Sequence, residues 1–306
     1  MSSVKKTPVK SKLHSRNRNR EPYDLKALVN VVPELENHVK PNKYGVESID
    51  FANSISVKLL NKALMHQYYG IKKWDFPDEN LCPPIPGRAD YLHYLADLLT
   101  EKNNNDIQQG GQITGLDIGT GASCIYPILG VVEYDWNFIA TDIDSHSIAS
   151  AKKIMEANES LNGKIELRLQ NNPKRIFEGI FNSEEKIDFT ISNPPFHASR
   201  EMALKGTRRK VKNLSGNKDS NPELNFAGMS NELITAGGEA KFIKTMIGES
   251  KNYAAQCGWF TTLVSKQDNL KEIYKLLKKV EVKDLKTIPM GTGNKSSRFV
   301  AWTFQN

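Results

Sequence analysis

The sequence predicts an α/β fold built on a seven-stranded, mostly parallel, doubly wound sheet, and three observations support this. From residue 113 onward, short apolar runs alternate with helical stretches, which is the pattern of βαβ units. The helical stretches are long enough to serve as the crossovers that a parallel sheet requires. The last two runs are joined only by MGTGNKSS, so they must form an antiparallel hairpin at one edge.

The individual elements are predicted from the spacing of apolar residues. Seven strands are predicted, over residues 113–118, 137–141, 165–169, 188–192, 259–265, 285–289 and 299–304. Helices are predicted over residues 89–99, 146–158, 240–256 and 267–280. A stretch of about 198–238 fits neither pattern and is rich in Gly, Asn, Lys and Arg, which is typical of a functional loop insertion.

Two smaller parts precede the sheet. Residues 1–20 carry seven Lys and Arg residues, no acid and few apolar residues, so we predict a flexible basic arm. Residues 21–84 contain helical patterns at 25–32 and 57–64, which predict a small helical module that packs against the adjoining part of the chain. The proline-rich stretch 82–87 marks a boundary, and we place the main domain at 85–306.

Charge and composition narrow the class of protein. The chain of 306 residues has 42 Lys and Arg against 35 Asp and Glu, and the whole excess of seven lies in the arm. Alternatives for this arm are a solubilising tail or an organellar transit peptide. No apolar run approaches the roughly 18 residues of a membrane span, and the first 20 residues lack a secretory core. Cys82, Cys124 and Cys257 form no CxxC pair, which predicts a reducing, cytoplasmic location without structural zinc.

A glycine loop, Gly119-Thr120-Gly121, comes directly after the first strand of the sheet. A Cβ at either glycine would take the space of a ligand that approaches the backbone. The dinucleotide fingerprint needs a third glycine where Cys124 stands, which argues against a nicotinamide dinucleotide. Asp117, on the strand before the loop, disfavours a pyrophosphate and suits a cationic amino group.

Asp142 ends the second strand, 23 residues after Gly119, where a carboxylate binds the ribose hydroxyls of an adenosine. The alternative is that Asp142 caps the next helix, although Asp144 and Ser145 are better placed for capping. A ligand with an adenosine, a positive charge and no pyrophosphate is S-adenosylmethionine. The sequence therefore predicts this cofactor.

The fourth strand leads directly into Asn193-Pro194-Pro195-Phe196. The prolines fix φ and lack N–H groups, so the turn is rigid. The Asn193 side-chain carbonyl and the Pro194 main-chain carbonyl can accept the two hydrogens of an exocyclic amine, while Phe196 offers a flat apolar face. Such acceptors stabilise the positive charge that develops as a methyl group arrives, so neither a strong base nor a metal is required. A purely structural proline turn is the alternative.

These motifs, in this order, resemble class I, Rossmann-like methyltransferases that act on amino groups. Longer stretches resemble the bacterial 23S rRNA adenine-N6-methyltransferase family (the RlmF type) over nearly the whole chain; they are GLDIGTGASCIYPILG, PGRADYLHYL, NPPFHAS, LSGNK…ELNFAGMSNEL, GGEAKFIKTMIGESK, WFTTLVS and SRFVAWTF. The resemblance implies transfer of a methyl group from S-adenosylmethionine to the N6 amine of one adenine in 23S rRNA by a monomeric enzyme. Naked RNA and an assembling large subunit are both open as the form of this substrate.

The resemblance also implies roles for individual residues. It assigns catalysis to Asn193, Pro194 and Phe196, and cofactor binding to Arg88, Asp117, Gly119, Thr120, Gly121 and Asp142. Arg88 would hold the cofactor carboxylate, for which a guanidinium is suited; a surface arginine is the alternative. A further cofactor contact falls within the stretch from Gln170 to Lys174, at a position that the sequence does not resolve.

Basic residues predict the RNA contacts. The insertion after the proline turn is free of acids between Met202 and Lys218, as expected for a surface that binds the phosphates around a flipped-out nucleotide; a solvated loop is the alternative. We also expect the arm and the 21–84 module to bind RNA. The predicted substrate contacts are Pro195, His197, Lys205, Arg208, Arg209, Lys210, Lys212, Arg16, Arg18 and Arg20.

Three other functions share parts of this pattern. A guanine-N2 rRNA methyltransferase shares nearly every motif and is the nearest alternative. A protein glutamine-N5 methyltransferase would leave the basic arm without a role. A non-catalytic RNA-binding protein with this fold would have no need of Asn193 and both prolines.

Overall fold

The computed structural model describes residues 12–100, 107, 109–195, 237–292 and 295–305. The first part is a small module with its own core of leucines, which include Leu28, Leu35, Leu60 and Leu64. Asp24 and Asn53 cap its two helices, and Gly70, at φ +70°, ends the second. Its elements are α1 (Leu25–Val31), β1 (Val39–Pro41), β2 (Glu47–Ile49) and α2 (Ser54–Tyr69).

The module also packs on the main domain. Tyr69, Ile71, Trp74 and Phe76 lie at and beyond the end of α2 and are buried in the core of the sheet domain. The Trp74 Nε1 donates a 2.9 Å hydrogen bond to the carbonyl of Ser123, just after the glycine loop. The module therefore leans on the sheet domain and reaches the back of its glycine loop.

The sheet domain has seven strands and five helices among the described residues. The strand order is β5-β4-β3-β6-β7-β9-β8; the first five strands are parallel, and the β8–β9 hairpin is antiparallel at one edge. This confirms the predicted fold. The strands are β3 (Thr114–Ile118), β4 (Asn137–Asp142), β5 (Ile165–Leu169), β6 (Ile187–Ser192), β7 (Cys257–Leu263), β8 (Asp284–Thr292) and β9 (Lys295–Thr303). The helices are α3 (Ile85–Thr100), α4 (Ile125–Tyr134), α5 (Ser145–Glu156), α6 (Gly238–Ser250) and α7 (Asn269–Lys279).

Two apolar layers cover the sheet, as the alternation of side chains along its strands requires. Phe138 and Phe189 point to the layer that contains α3, α4 and α5. Phe260 and Trp302 point to the layer that contains α6 and α7. The strand order reverses between β3 and β6, which makes the carboxyl ends of these strands the expected place for a ligand.

Helix α4 was not predicted. Its side chains are buried on nearly every face, from Ile125 through Val131, so no polar side breaks the apolar run into a helical period. Pro127 lies in its first turn, where a missing N–H costs little. The hairpin of β1 and β2 was also missed, since each strand has only three residues.

Residues 12–20 are folded, which corrects the flexible arm predicted over residues 1–20. Leu13, His14, Asn17 and Asn19 are buried, and the segment lies along α3. The His14 N–H and the Asn17 amide both donate to Oδ1 of Asp90, at 3.0 and 2.5 Å. Residues 1–11 lie outside the described residues, so the prediction of flexibility stands untested there.

No helix in the described ranges is long and apolar enough to cross a membrane. Cys82, Cys124 and Cys257 are all free thiols, and burial raises the pKa of Cys82 to about 11 and that of Cys124 to about 12.

Candidate active site

A cleft opens at the carboxyl ends of β3, β4 and β6. It brings together the predicted cofactor residues and the proline turn, which are distant in the sequence. Its lining includes Arg88, Gly119, Thr120, Gly121, Tyr126, Asp142, Ile143, Gln170, Arg175, Asn193, Pro195 and Phe242.

The glycine loop turns sharply at the floor of the cleft. Gly119 and Gly121 have φ of +77° and +65°, a region that favours glycine. The N–H groups of Gly119 and Thr120 both donate to the carbonyl of Thr141, at 2.9 Å, which holds the loop against β4. A Cβ at Gly119 would meet no atom within 4 Å. The space beside this glycine is thus open to a ligand and is not filled by the protein.

Asp117 lies beneath the loop as a fully buried carboxyl group. Neither of its oxygens has a hydrogen-bond partner among the described residues, and the Thr120 hydroxyl is likewise buried and unpartnered. Burial, together with the charge of the nearby Asp142, raises the pKa of Asp117 to about 7, although the Thr120 side chain and Arg88 act in the opposite direction. A buried carboxyl group with free lone pairs is suited to a cationic amino group, as the sequence predicts.

Asp142 projects from the end of β4 and is held by main-chain donors. Burial is the largest influence on its carboxyl group and raises the pKa. Asp144, not Asp142, caps α5, because its side chain accepts the N–H groups of His146 and Ser147. The capping alternative for Asp142 is therefore excluded. The adjacent Ile143 is 48% exposed in the cleft and offers a flat ring an apolar contact, which sequence analysis missed.

Arg88 lies in the first turn of α3 and reaches the opposite wall of the cleft. Its guanidinium carbon is 5.4 Å from the ring centroid of Tyr126, at the start of α4. Burial raises the pKa of Tyr126 to about 12, and its hydroxyl is buried. Tyr126 was not predicted as a site residue, although it stands only five positions after Gly121.

The proline turn forms the remaining wall. The Oδ1 atom of Asn193 is buried without a hydrogen-bond partner in the described part of the chain, while Pro195 lines the cleft and Pro194 is buried. An unpartnered amide oxygen at this point is what a substrate amine would need. Other predicted residues lie outside the described residues; they are Phe196, His197, Lys205, Arg208, Arg209, Lys210 and Lys212.

The stretch from Gln170 to Lys174 contributes two residues to the lining, Gln170 and Pro173. The Gln170 side chain forms hydrogen bonds within its own loop. It donates one of 2.9 Å to the carbonyl of Glu178 and accepts one of 2.8 Å from the N–H of Asn172. Arg175, just beyond the predicted stretch, also lines the cleft.

The arginines of the N-terminal segment contact the protein instead of the cleft. Arg16 forms an ion pair of 2.6 Å with Asp97, and Arg18 forms one of 2.9 Å with Glu133. Arg20 donates to the carbonyl of Ser15 at 3.4 Å. Their predicted RNA contacts therefore compete with intramolecular ones, which the sequence could not reveal because Asp97 and Glu133 lie far along the chain.

The residues present fit S-adenosylmethionine. The open space beside Gly119 would let the cofactor approach the main chain closely. The unpartnered buried carboxyl group of Asp117 suits its amino group, and the guanidinium of Arg88 suits its carboxylate. Within the described ranges, no cluster of three or more His, Cys, Asp or Glu is arranged to hold a metal ion.

Several known proteins are similar to this chain in sequence or in structure. A relative named Ribosomal RNA large subunit methyltransferase F, from Flavobacterium johnsoniae, is 54% identical over 97% of this chain and 95% of its own. A relative of the same name from Cytophaga hutchinsonii is 52% identical over 99% and 94%. The catalytic domain of human Mettl16, solved with a MAT2A 3'UTR hairpin, superposes with a TM-score of 0.81 at 29% identity, over 96% of each chain.

A second solved structure is the N-terminal domain of human METTL16 in complex with SAH. It has a TM-score of 0.76 at 26% identity and covers 96% of this chain and 99% of that one. A family model described as RNA methyltransferase matches residues 7–306. A match over nearly the whole length, joined to relatives above half identity, leads to one conclusion: the chain belongs to the RNA methyltransferase family.

Proposed function

We propose that this enzyme transfers a methyl group from S-adenosylmethionine to the N6 amine of an adenine in 23S ribosomal RNA. The observation that carries the proposal is the buried, unpartnered Oδ1 of Asn193 in the same cleft as Arg88 and Asp142. The relatives named Ribosomal RNA large subunit methyltransferase F support a large-subunit rRNA as the substrate.

The protein would hold the cofactor at three points. Asp142 accepts main-chain N–H groups, among them those of Gly121 and Asp144, and since a carboxylate has about four acceptor sites, its remaining acceptor capacity would be available to the ribose of the cofactor. Arg88 would bind the carboxylate of the methionine part, and Asp117 would lie near its amino group. When bound, the cofactor supplies a methyl group on a positively charged sulfur.

Asn193 and Pro194 would hold the target amine. The Oδ1 of Asn193 accepts one N6 hydrogen and the Pro194 carbonyl accepts the other, which turns the nitrogen lone pair away from the ring. The two acceptors stabilise the positive charge on nitrogen during transfer. The surplus proton becomes acidic once the methyl group is bound, so it leaves to water without a strong base.

The adenine must leave its stack to reach this cleft. Phe196 and His197 come directly after the turn, and we propose that they contact the flipped base. Lys205, Arg208, Arg209, Lys210 and Lys212 would bind the flanking phosphates. Arg16 and Arg18 are assigned a structural role instead, because their guanidinium groups are engaged with Asp97 and Glu133.

The nature of the labelled nucleoside tests this function. The protein is incubated with methyl-labelled cofactor and 23S rRNA that lacks its natural modifications, and the RNA is digested to nucleosides. We expect the label in N6-methyladenosine. Label in 2-methylguanosine would favour the guanine-N2 activity, and label only in protein would favour a glutamine-N5 activity; either result overturns the proposal.

A further inference from the structure

The turn Asn193-Pro194-Pro195 forms few hydrogen bonds that could fix its position in the described part of the chain. Pro194 and Pro195 lack N–H groups, and the Asn193 Oδ1 has no partner among the described residues. A rigid turn still pivots as a unit unless its ends are held. Within the part of the chain that the structure describes, the turn is held at Ser192, at the end of β6, and by the residues that contact Ser192.

Threonine side chains join β6 to β7 just below the turn. The N–H of Thr261 donates 2.9 Å to Oγ1 of Thr190, and the Thr261 hydroxyl donates 2.5 Å to the carbonyl of Thr190. The Thr262 hydroxyl donates to the Ser192 hydroxyl at 3.4 Å. Hydroxyl groups thus link the two strands at the level where the chain leaves the sheet for the cleft.

Tyr91 completes this linkage from α3. Its fully buried hydroxyl lies 2.7 Å from Oγ1 of Thr261 and within hydrogen-bonding reach of the Ser192 main chain. Its ring lies between those of Tyr126, at 5.6 Å, and Phe299, at 4.7 Å, which leaves the phenol little freedom to rotate.

The same helix carries the cofactor-binding arginine. Arg88 precedes Tyr91 by three residues, so the two side chains lie on one face of α3. The Arg88 guanidinium lies over Tyr126, whose ring in turn contacts Tyr91. One short chain of contacts therefore connects the residue that would bind the cofactor carboxylate with the residue before Asn193.

We propose that Tyr91 is a positioning residue for methyl transfer, whose hydroxyl sets the Asn193-Pro194 acceptors at a fixed distance from the cofactor held by Arg88. It touches neither substrate nor cofactor and acts through Thr261 and Ser192. This inference rests on the proposed function, and it gives a role to a residue of the PGRADYLHYL stretch that was not predicted as a site residue and does not line the cleft.

The test compares Tyr91→Phe with Tyr134→Phe. Both tyrosines are buried on the same layer, and each change removes one hydroxyl from a hydrogen-bonded network, since the Tyr134 hydroxyl lies 2.6 Å from Nδ1 of His93. We expect Tyr91→Phe to lower kcat by about ten- to a hundredfold, because a small misplacement of reacting groups is costly. The KM for RNA and the Kd for S-adenosylhomocysteine should stay within about twofold of wild type, as they should in Tyr134→Phe, which should also keep kcat.

Two further measurements separate positioning from general loss of structure. Amide hydrogen exchange at residues 190–193 should be faster in Tyr91→Phe and unchanged in Tyr134→Phe, and this readout holds even if the substrate is not 23S rRNA. Thr261→Val should lower kcat as Tyr91→Phe does, whereas Thr261→Ser, which keeps the hydroxyl, should restore it. An unchanged kcat in Tyr91→Phe, unchanged exchange, or an equal loss of kcat in Tyr134→Phe would overturn the proposal.

Discussion

The Oδ2 atom of Asp142 accepts a 2.9 Å hydrogen bond from the main-chain N–H of Gly121, which joins the end of β4 to the glycine loop after β3. Its Oδ1 atom accepts the N–H of Asp144 at the same distance. The carboxylate is therefore held in place before any ligand arrives. When the groups of a site are already ordered, less of the binding free energy is lost in ordering them as the ligand binds.

Replacing this carboxylate should weaken cofactor binding. Asp142→Asn keeps the size of the side chain but loses charge and one acceptor, and hydrogen bonds to charged groups are worth about 1.5–3 kcal/mol. We expect the Kd for S-adenosylhomocysteine to rise by about 10- to 100-fold in calorimetric titrations. Asp188→Asn is the matched control, since Asp188 also accepts a main-chain N–H, from Thr114 at 2.7 Å, but lies near the amino end of β6, away from the cleft at the carboxyl ends of the strands. Equal affinity in the two variants would contradict the role of Asp142.

The stability of the cofactor-free protein should depend on pH through Asp117. Burial raises the pKa of Asp117 to about 7, against about 3.9 in an unfolded chain. Between these values the folded protein holds a proton that the unfolded chain has released, so the free energy of unfolding falls as pH rises from about 4 through 7. The loss is complete above about pH 8 and is on the order of 4 kcal/mol.

Denaturant unfolding of wild type and Asp117→Asn at pH 5 and pH 8 measures this contribution. The amide of Asp117→Asn cannot ionise. The free energy of unfolding of the variant minus that of wild type should therefore be larger at pH 8 than at pH 5. Other buried groups, such as Asp90 and Asp188, titrate in both proteins and cancel in the comparison. A stability difference that is the same at both pH values would show that Asp117 is not the group responsible.

Two truncations should separate RNA binding from folding. Removal of residues 1–11 takes away Lys5, Lys6 and Lys10 but keeps the docked segment. If these charges meet phosphates of single-stranded RNA, the slope of log affinity against log salt should become shallower by about 2. Melting temperature and affinity for S-adenosylhomocysteine should remain those of the full chain.

Removal of residues 1–20 should also lower the melting temperature. It would expose α3 and leave Asp90 without the His14 and Asn17 donors, which is costly for a buried carboxyl group. RNA titrations over a range of salt and thermal melts of the three proteins check both expectations. If removal of residues 1–11 left the salt slope unchanged, these residues would not bind RNA phosphates. If removal of residues 1–20 left the melting temperature unchanged, residues 12–20 would not contribute to the stability of the fold.

The sequence predicts the sheet well because its strands are short, apolar and separated by clear turns. The seven predicted strands correspond to β3–β9, and the glycine loop, Asp142 and Asn193 meet in one cleft as their positions at strand ends imply. Helix α4 escaped prediction because its burial on nearly all faces removes the polar side that reveals a helical period.

Contacts between distant parts of the chain were not predictable in the same way. Residues 13–20 have the composition of a disordered arm, and their order depends on Asp90, Asp97 and Glu133, which are at least 70 positions away. The role of Tyr91 is similar, since Thr261 is 170 residues further along. The composition of a short segment does not indicate which distant residues it will contact in the folded protein.

The central claim is that the Asn193 oxygen accepts the target amine, and single-turnover methylation tests it most directly. Wild type, Asn193→Ala and Asn137→Ala are compared on unmodified 23S rRNA; Asn137 donates to the carbonyl of Gly111 at the amino end of β4, away from the cleft. We expect Asn193→Ala to form N6-methyladenosine about 10²- to 10³-fold more slowly than wild type, with unchanged affinity for S-adenosylhomocysteine, and Asn137→Ala to match wild type. Wild-type rates in Asn193→Ala would contradict the account.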